Sequence, residues 1–200
     1  MICTATMVSM MFAFLILAGG AAWSSTTLLN EDFSSGDTGW VKTDPGLWTA
    51  GGGLYEANNY GGGRSFAYRP DVVLPTDWAF SLEVTPTLIY QHNQDSGLAL
   101  IADPANPYSN WVTVAVVLNS NNANAGIQIH WGDGAVDNWT GYVPGDVLNL
   151  TVTRAVGSNI LTAKISGPHG TMTLNSPNLA AKLGATKTPG LFAGGESYAL

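Results

Sequence analysis

From position 78 the chain reads Trp-Ala-Phe-Ser-Leu-Glu-Val-Thr85. An extended backbone puts Trp78, Phe80, Leu82 and Val84 on one side and Ala79, Ser81, Glu83 and Thr85 on the other. A helix would scatter the same apolar side chains around its axis, so this period of two demands a strand with one face buried. Leu148-Asn-Leu-Thr-Val-Thr-Arg154 repeats the pattern, with Leu148, Leu150 and Val152 inward and Asn149, Thr151 and Thr153 outward. Residues 111–119 are more uniformly apolar, with further strands at 97–103 before them and 126–131 after, and these three are expected at the middle of a sheet. Shorter strands are expected at 28–33, 47–49, 54–57, 65–69, 160–166 and 171–174. No long window shows the three-to-four spacing of a helix, and the 24 glycines and 10 prolines interrupt the chain every few residues. Gly51-Gly-Gly53, Gly61-Gly-Gly63, Asp103-Pro-Ala-Asn-Pro107, Gly132-Asp-Gly134, Pro144-Gly-Asp146 and Gly157-Ser158 supply turns between short antiparallel strands. Gly61-Gly-Gly-Arg64 follows no strand-to-helix pattern and reads as a hairpin turn. One short helix is expected at 178–183, capped by Asn178. The pattern predicts an all-β, two-sheet antiparallel sandwich.

The segment before this pattern has another character. Met-Met-Phe-Ala-Phe-Leu-Ile-Leu-Ala-Gly-Gly-Ala-Ala22 is an apolar run of about a dozen residues, short of the ~20 that cross a bilayer. It runs into Trp-Ser-Ser25, small residues at a cleavage site. Residues 1–25 therefore read as an export signal peptide without Lys or Arg, and 26–200 as one jelly-roll domain, secreted or at the cell surface, with no membrane span after cleavage. The one cysteine, Cys3, lies in the leader, so the mature domain is expected to hold together by packing alone. Seven Lys plus Arg against fourteen Asp plus Glu give a formal charge of -7. No basic cluster exists to neutralise phosphates, which argues against nucleic acid and anionic membrane partners. Asn, Thr, Ser and Gly supply the polar surface, as in Asn119-Ser-Asn-Asn-Ala-Asn-Ala-Gly126, which reads as a turn-rich loop.

The order of features resembles the concanavalin A-like lectin and glucanase jelly rolls, particularly laminin-G-like modules. Glu31-Asp32-Phe33 precedes Gly36-Asp-Thr-Gly-Trp40. A Trp strand turns through glycines into a second hairpin strand at Leu47-Trp-Thr-Ala-Gly-Gly-Gly-Leu-Tyr55. Leu74-Pro-Thr-Asp-Trp78 leads into the long strand, and Pro189-Gly-Leu-Phe-Ala-Gly194 comes late. The resemblance spans residues 28–200 and implies a monomeric module, or one part of a longer chain. Such modules finish with a strand beside the first one, whereas this chain stops at Ser197-Tyr-Ala-Leu200, so the last strand is expected to be incomplete.

Two kinds of enzyme use such a frame. Jelly-roll glucanases place two carboxylates about 5 to 5.5 Å apart. The related hydrolases carry Glu-x-Asp-x-x-Glu, a run this chain lacks; Glu83 stands alone on its strand. Jelly-roll alginate lyases carry Gln-(Ile or Val)-His, matched by Gln128-Ile-His130. There His and Tyr handle protons while Gln and Arg neutralise the uronate. The accompanying Arg-x-Glu-x-Arg strand is missing. Gln128 and His130 are thus the catalytic candidates. The three histidines have no metal spacing, and no Asp-x-Asp-x-Asp-Gly run occurs. No cofactor is required; a structural calcium at Asp32 is allowed by the resemblance. Binding is the favoured function, because sugar rings stack on aromatic planes while their hydroxyls seek polar partners. Trp139, Tyr142, Gln128, His130, Trp111, Asn110 and Asp137 are the ligand candidates, with Trp139 and Tyr142 taken as loop aromatics and Glu83 and Thr113 as neighbours on the same sheet face. The expected function is a non-catalytic carbohydrate-binding or cell-surface interaction module. The alternative is a polysaccharide lyase or glycoside hydrolase on the same fold.

Overall fold

The alternation read at 78–84 and 148–154 becomes a matched pair of strands. In the computed structural model, β6 (Trp78–Val84) and β11 (Leu148–Arg154) run antiparallel with Leu148 opposite Val84, Leu150 opposite Leu82 and Val152 opposite Phe80. Every inward position therefore meets another inward position. The structure describes residues 5–8, 28–57, 63–85, 94–119, 124–131, 134–143, 145–177, 179, 183–184 and 188–195. With β12 (Thr162–Gly167) and β13 (Gly170–Asn175), these strands form a four-stranded sheet in the order β13-β12-β11-β6.

The opposing layer is a seven-stranded sheet. It contains β2 (Val41–Lys42), β5 (Gly63–Tyr68), β7 (Gln94–Ile101), β8 (Trp111–Asn119), β9 (Asn124–Trp131), β10 (Gly134–Tyr142) and β14 (Thr188–Gly195). Their order is β10-β9-β8-β7-β14-β5-β2, so the three apolar strands expected at the sheet's middle do lie side by side within it. The expected hairpin is present too: β3 (Trp48–Gly51) and β4 (Leu54–Ala57) pair across Gly52 and Gly53, whose φ values of 61° and 82° suit glycine. All described pairings are antiparallel, and the chain is an all-β, two-layer jelly-roll sandwich.

Between the layers, one cluster takes inward residues from both: Leu98 and Leu100, Val112 to Val116 at alternate positions, Ile127 and Ile129 from one side, and Phe80, Leu82, Leu150 and Ile165 from the other. The β3–β4 hairpin closes one end with aromatics. Phe33 stacks on Tyr55 at 4.6 Å between ring centroids, with Trp40 and Trp48 packed on the same tyrosine at 5.8 and 5.2 Å. Burial first, and then the charge of Asp37, push the Tyr55 phenol well above its ordinary value. The Trp48 indole N–H is satisfied by Ser65 Oγ at 2.7 Å, in the buried interior where an unpaired donor is costly.

Several expectations change. Residues 28–33 are not a strand: Phe33 sits at φ 54°, in the left-handed region, and Asp32 Oδ1 accepts from the Ser34 amide (2.9 Å) and hydroxyl (2.8 Å). That turn swings Phe33 into the core and ends any extended run. The segment is instead tethered by Arg69, which holds Glu31 at 2.6 Å and Asp71 at 2.8 Å. The 134–142 stretch, read as loop, is strand β10. Within the segment read as a leader, β1 (Ala5–Val8) pairs with β4, Ala5 opposite Ala57 and Val8 opposite Leu54, giving the three-stranded sheet β1-β4-β3. Of the helix expected at 178–183, the described part is one turn, Leu183 N–H donating to the Leu179 carbonyl at 3.2 Å; Asn178 lies outside the described residues. Residues 197–200, where the last strand is expected to be incomplete, also lie outside them. Among the described residues, no helix is long and apolar enough to cross a membrane.

Replacing Ser65 with Ala leaves the Trp48 N–H buried and unpaired, so urea denaturation should show a loss of about 1–3 kcal/mol. The Asp71 carboxyl is held below its ordinary range by the Arg69 guanidinium. A group depressed on folding stabilises above its unfolded pKa and loses that contribution as pH falls through the folded value. Urea denaturation should therefore show stability falling as pH drops below the ordinary Asp range, and Arg69→Gln should lose that contribution already at neutral pH.

Candidate functional site

Strand alternation decides what the seven-stranded sheet shows on its outer face. With Ile127 and Ile129 buried inward, Gln128 and His130 must project outward, and both are partly exposed. On β8, Trp111 and Thr113 share that face; on β5, Arg64, Phe66 and Tyr68 do. Phe66, Tyr68, Trp111 and Phe192, with Ala99, Ile101 and Ala115, form a second apolar cluster there, separate from the core between the layers.

A loop and a cation cover this cluster. The loop is residues 102–110: Tyr68 Oη donates to the Pro104 carbonyl at 2.8 Å, and the Tyr108 ring lies 5.3 Å from that of Phe66. The Tyr108 hydroxyl reaches both the Arg64 carbonyl (3.0 Å) and Asp44 Oδ2 (3.2 Å), and its one proton serves either. Burial is the main cause raising the Tyr108 phenol, opposed by Thr43 and reinforced by the charge of Asp44. The cation is Arg64, whose guanidinium carbon lies 4.5 Å from the centre of the Trp111 ring. Its Nη2 is 3.4 Å from His130 Nδ1 and 3.5 Å from Nε2, although the two residues are 66 positions apart. Near-equal distances to both ring nitrogens put the guanidinium over the imidazole face and not in its plane, so no well-directed hydrogen bond joins them. The Trp111 and His130 rings stand perpendicular, at 87°, with centroids 5.1 Å apart. Arginine, indole and imidazole thus form one packed group at the surface.

The remaining candidates scatter around it. Asp137 is exposed on β10, directly opposite Gln128. Asn110 is exposed at the end of the 102–110 loop, and its carbonyl accepts from the Ala102 amide at 3.0 Å. Trp139 pairs with Gly126 at the backbone, on the strand where a loop was expected; its side chain lies outside the described ones. Tyr142 is corrected from surface aromatic to core residue. Val136, opposite the buried Ile129, sets the inward phase of β10, and Tyr142, six positions on, keeps that phase across the register shift between Trp139 and Tyr142. Tyr142 is 1% exposed and its hydroxyl donates to the Gly170 carbonyl at 2.7 Å. Trp111 is 7% exposed beneath Arg64, a floor to the site and not an open stacking platform. Glu83 and Thr113 do not share a face: Glu83 is on β6 in the other sheet, and Thr113 is buried. Asp32 spends its Oδ1 on the Ser34 turn, whose N–H and hydroxyl hold its carboxyl below the ordinary range. Among the described residues, no three His, Cys, Asp or Glu side chains gather where a metal ion would be held.

Sequence reasoning missed Arg64 and Tyr108. Arg64 had been placed in a glycine turn, yet Arg64, Phe66 and Tyr68 alternate, and extending the strand by two residues would have put the cation on the aromatic face.

No protein-family model matches the chain, and no curated protein matches it. Among solved structures, it is similar to lectin I from Ulex europaeus in complex with the methyl glycoside of α-L-fucose, at 16% identity over 81% of this chain and 86% of that one, with a TM-score of 0.47. Scytalido-glutamic peptidase with a peptide-based transition state analog matches at 12% identity over 66% of this chain and 62% of that one, with a TM-score of 0.43; this chain spans less than two thirds of the peptidase. The Lotus tetragonolobus seed lectin matches at 16% identity over 78% and 85%, with a TM-score of 0.40. The likeness is one of backbone architecture.

The burial of Tyr142 yields a clean discrimination. Tyr142→Phe should cost about 0.5–1.5 kcal/mol in denaturant for the lost hydrogen bond while leaving any ligand affinity of the outer face unchanged.

Proposed function

We propose that this chain is an exported, non-catalytic carbohydrate-binding module whose ligand lies on the outer face of the seven-stranded sheet, around Arg64, Trp111, Gln128 and His130. The observation that carries the reading is the convergence of Arg64, Trp111 and His130 from three separate strands into one surface group. A glycan needs directional polar contacts beside apolar surface. Here Gln128, His130, Asp137, Asn110 and the Tyr108 hydroxyl ring an aromatic floor, and each is at least partly exposed. Residues 1–25 serve as the export signal in this reading, so cleavage removes β1 from beside β4 and leaves the β3–β4 hairpin, and the low count of basic residues suits a sugar more than a nucleic acid.

Affinity electrophoresis through gels containing soluble polysaccharides tests the proposal. Wild-type protein should be retarded by at least one glycan, and Gln128→Ala with Asp137→Ala should weaken retardation severalfold, because two hydrogen-bonding groups are lost from the rim. Trp139→Ala reports whether β10 contributes a platform. Absence of retardation by every polysaccharide in the panel would refute the reading. The catalytic alternative is decided on the same polymers: a lyase would release unsaturated products, and His130→Ala would abolish them.

A further inference from the structure

We infer that the Arg64 group selects a glycan carrying isolated carboxylates, a uronic acid set among neutral sugars; this rests on the glycan-binding reading above. The argument begins with charge. Among the described residues, the ion pairs are Lys42–Asp37, Arg69–Glu31, Arg69–Asp71 and His169–Asp146. Arg154 donates to the Ser158 carbonyl, and Lys164 is exposed on the far sheet. Arg64 has no carboxylate partner among these residues, although the chain carries twice as many acids as bases.

What Arg64 has instead is a position. Lying over Trp111 and against His130 holds the guanidinium in place, with Nη2 beside the imidazole and its other N–H groups in no hydrogen bond to a described side chain. A planar fork held this way matches the two oxygens of a carboxylate. Pre-orientation by the two rings lowers the entropy lost when a ligand docks.

The surroundings argue for a single, separated negative charge. Asp137 lies opposite Gln128 on the same face. Asp95 lies on the face-forming row of β7, opposite Gly194, which in turn is opposite Arg64; that is two strand spacings away, or about 10 Å. The exposed Asp137 suits sugar hydroxyls as donors, and the negative charge of both acids repels a second anion. A densely charged polymer, with sulfates on every residue, would meet them along with a net charge of -7. One carboxylate at Arg64 with hydroxylated neutral sugars to either side meets one cation flanked by acceptors.

The test compares hyaluronan oligosaccharides, in which a uronic acid alternates with a neutral sugar, with the same oligosaccharides after carboxyl reduction, and with heparin. Binding is read by titration calorimetry for wild type, Arg64→Gln, Arg64→Lys and Lys164→Gln. The native oligosaccharide should bind, and either carboxyl reduction or Arg64→Gln should weaken it roughly ten- to hundredfold, the range for hydrogen bonds between charged groups. Arg64→Lys keeps the charge without the fork and should fall between, while Lys164→Gln should match wild type. Equal affinity for native and reduced forms would overturn the carboxylate class and leave glycan binding intact. Tighter binding of heparin would overturn it likewise, as would binding of neither hyaluronan form by a protein that the polysaccharide gels retard; no retardation on any gel would remove both readings. Should Arg64→Gln fail to fold, the reduced oligosaccharide with wild-type protein still decides.

Discussion

Because side chains along a strand alternate, the interior of this sandwich and its outer surface are set by one choice of register. Burying Ile127 and Ile129 aims Gln128 and His130 outward; burying Ser65 and Ala67 aims Arg64 and Phe66 outward. A slip of one residue on β9 would bring His130 into the core and take Ile129 to the surface, so the penalty for disturbing the site is also a penalty for disturbing the fold. The chemistry of the face is guarded by the hydrophobic effect acting on the side it does not show.

No cysteine lies among the described residues, and no covalent link holds the layers together. Aromatic packing and a few buried hydrogen bonds take that role at the vulnerable places. At the hairpin end, Tyr55 is contacted by Phe33, Trp40 and Trp48, and the polar atom this brings inside, the Trp48 N–H, finds Ser65. On the outer face the 102–110 loop is fastened by the Tyr68 and Tyr108 hydroxyls, which keeps the second aromatic cluster from becoming an open apolar patch.

How much of this was legible in the sequence varied with the length and cleanliness of the pattern. β6, β11 and the β3–β4 hairpin carry strong alternation or paired glycines, and each formed where expected. Residues 28–33 alternate well enough to suggest a strand, but the turn at Asp32 and Ser34 and the left-handed Phe33 are local hydrogen-bond chemistry that periodicity does not register. β10 was hidden for the opposite reason: Gly134-Ala-Val-Asp-Asn-Trp-Thr-Gly-Tyr142 is an outermost strand on which Val136 and Tyr142, six positions apart, are the large apolar residues of the inward period, too sparse to register as alternation. Gln128 and His130 were found because alternation is local. Their union with Arg64 was not, because it spans 66 positions and depends on the order of strands across the sheet.

The irregular step in β10 falls at the margin of its sheet. β10 is the outer border of the seven-stranded sheet, where a straight ladder of free amides and carbonyls would offer a template to a neighbouring molecule. Two extra residues on β10 interrupt the pairing rhythm of that border, the kind of irregularity that blunts a sheet edge as a template. The irregularity thus falls on the edge itself, beside the tyrosine whose hydroxyl donates to the Gly170 carbonyl.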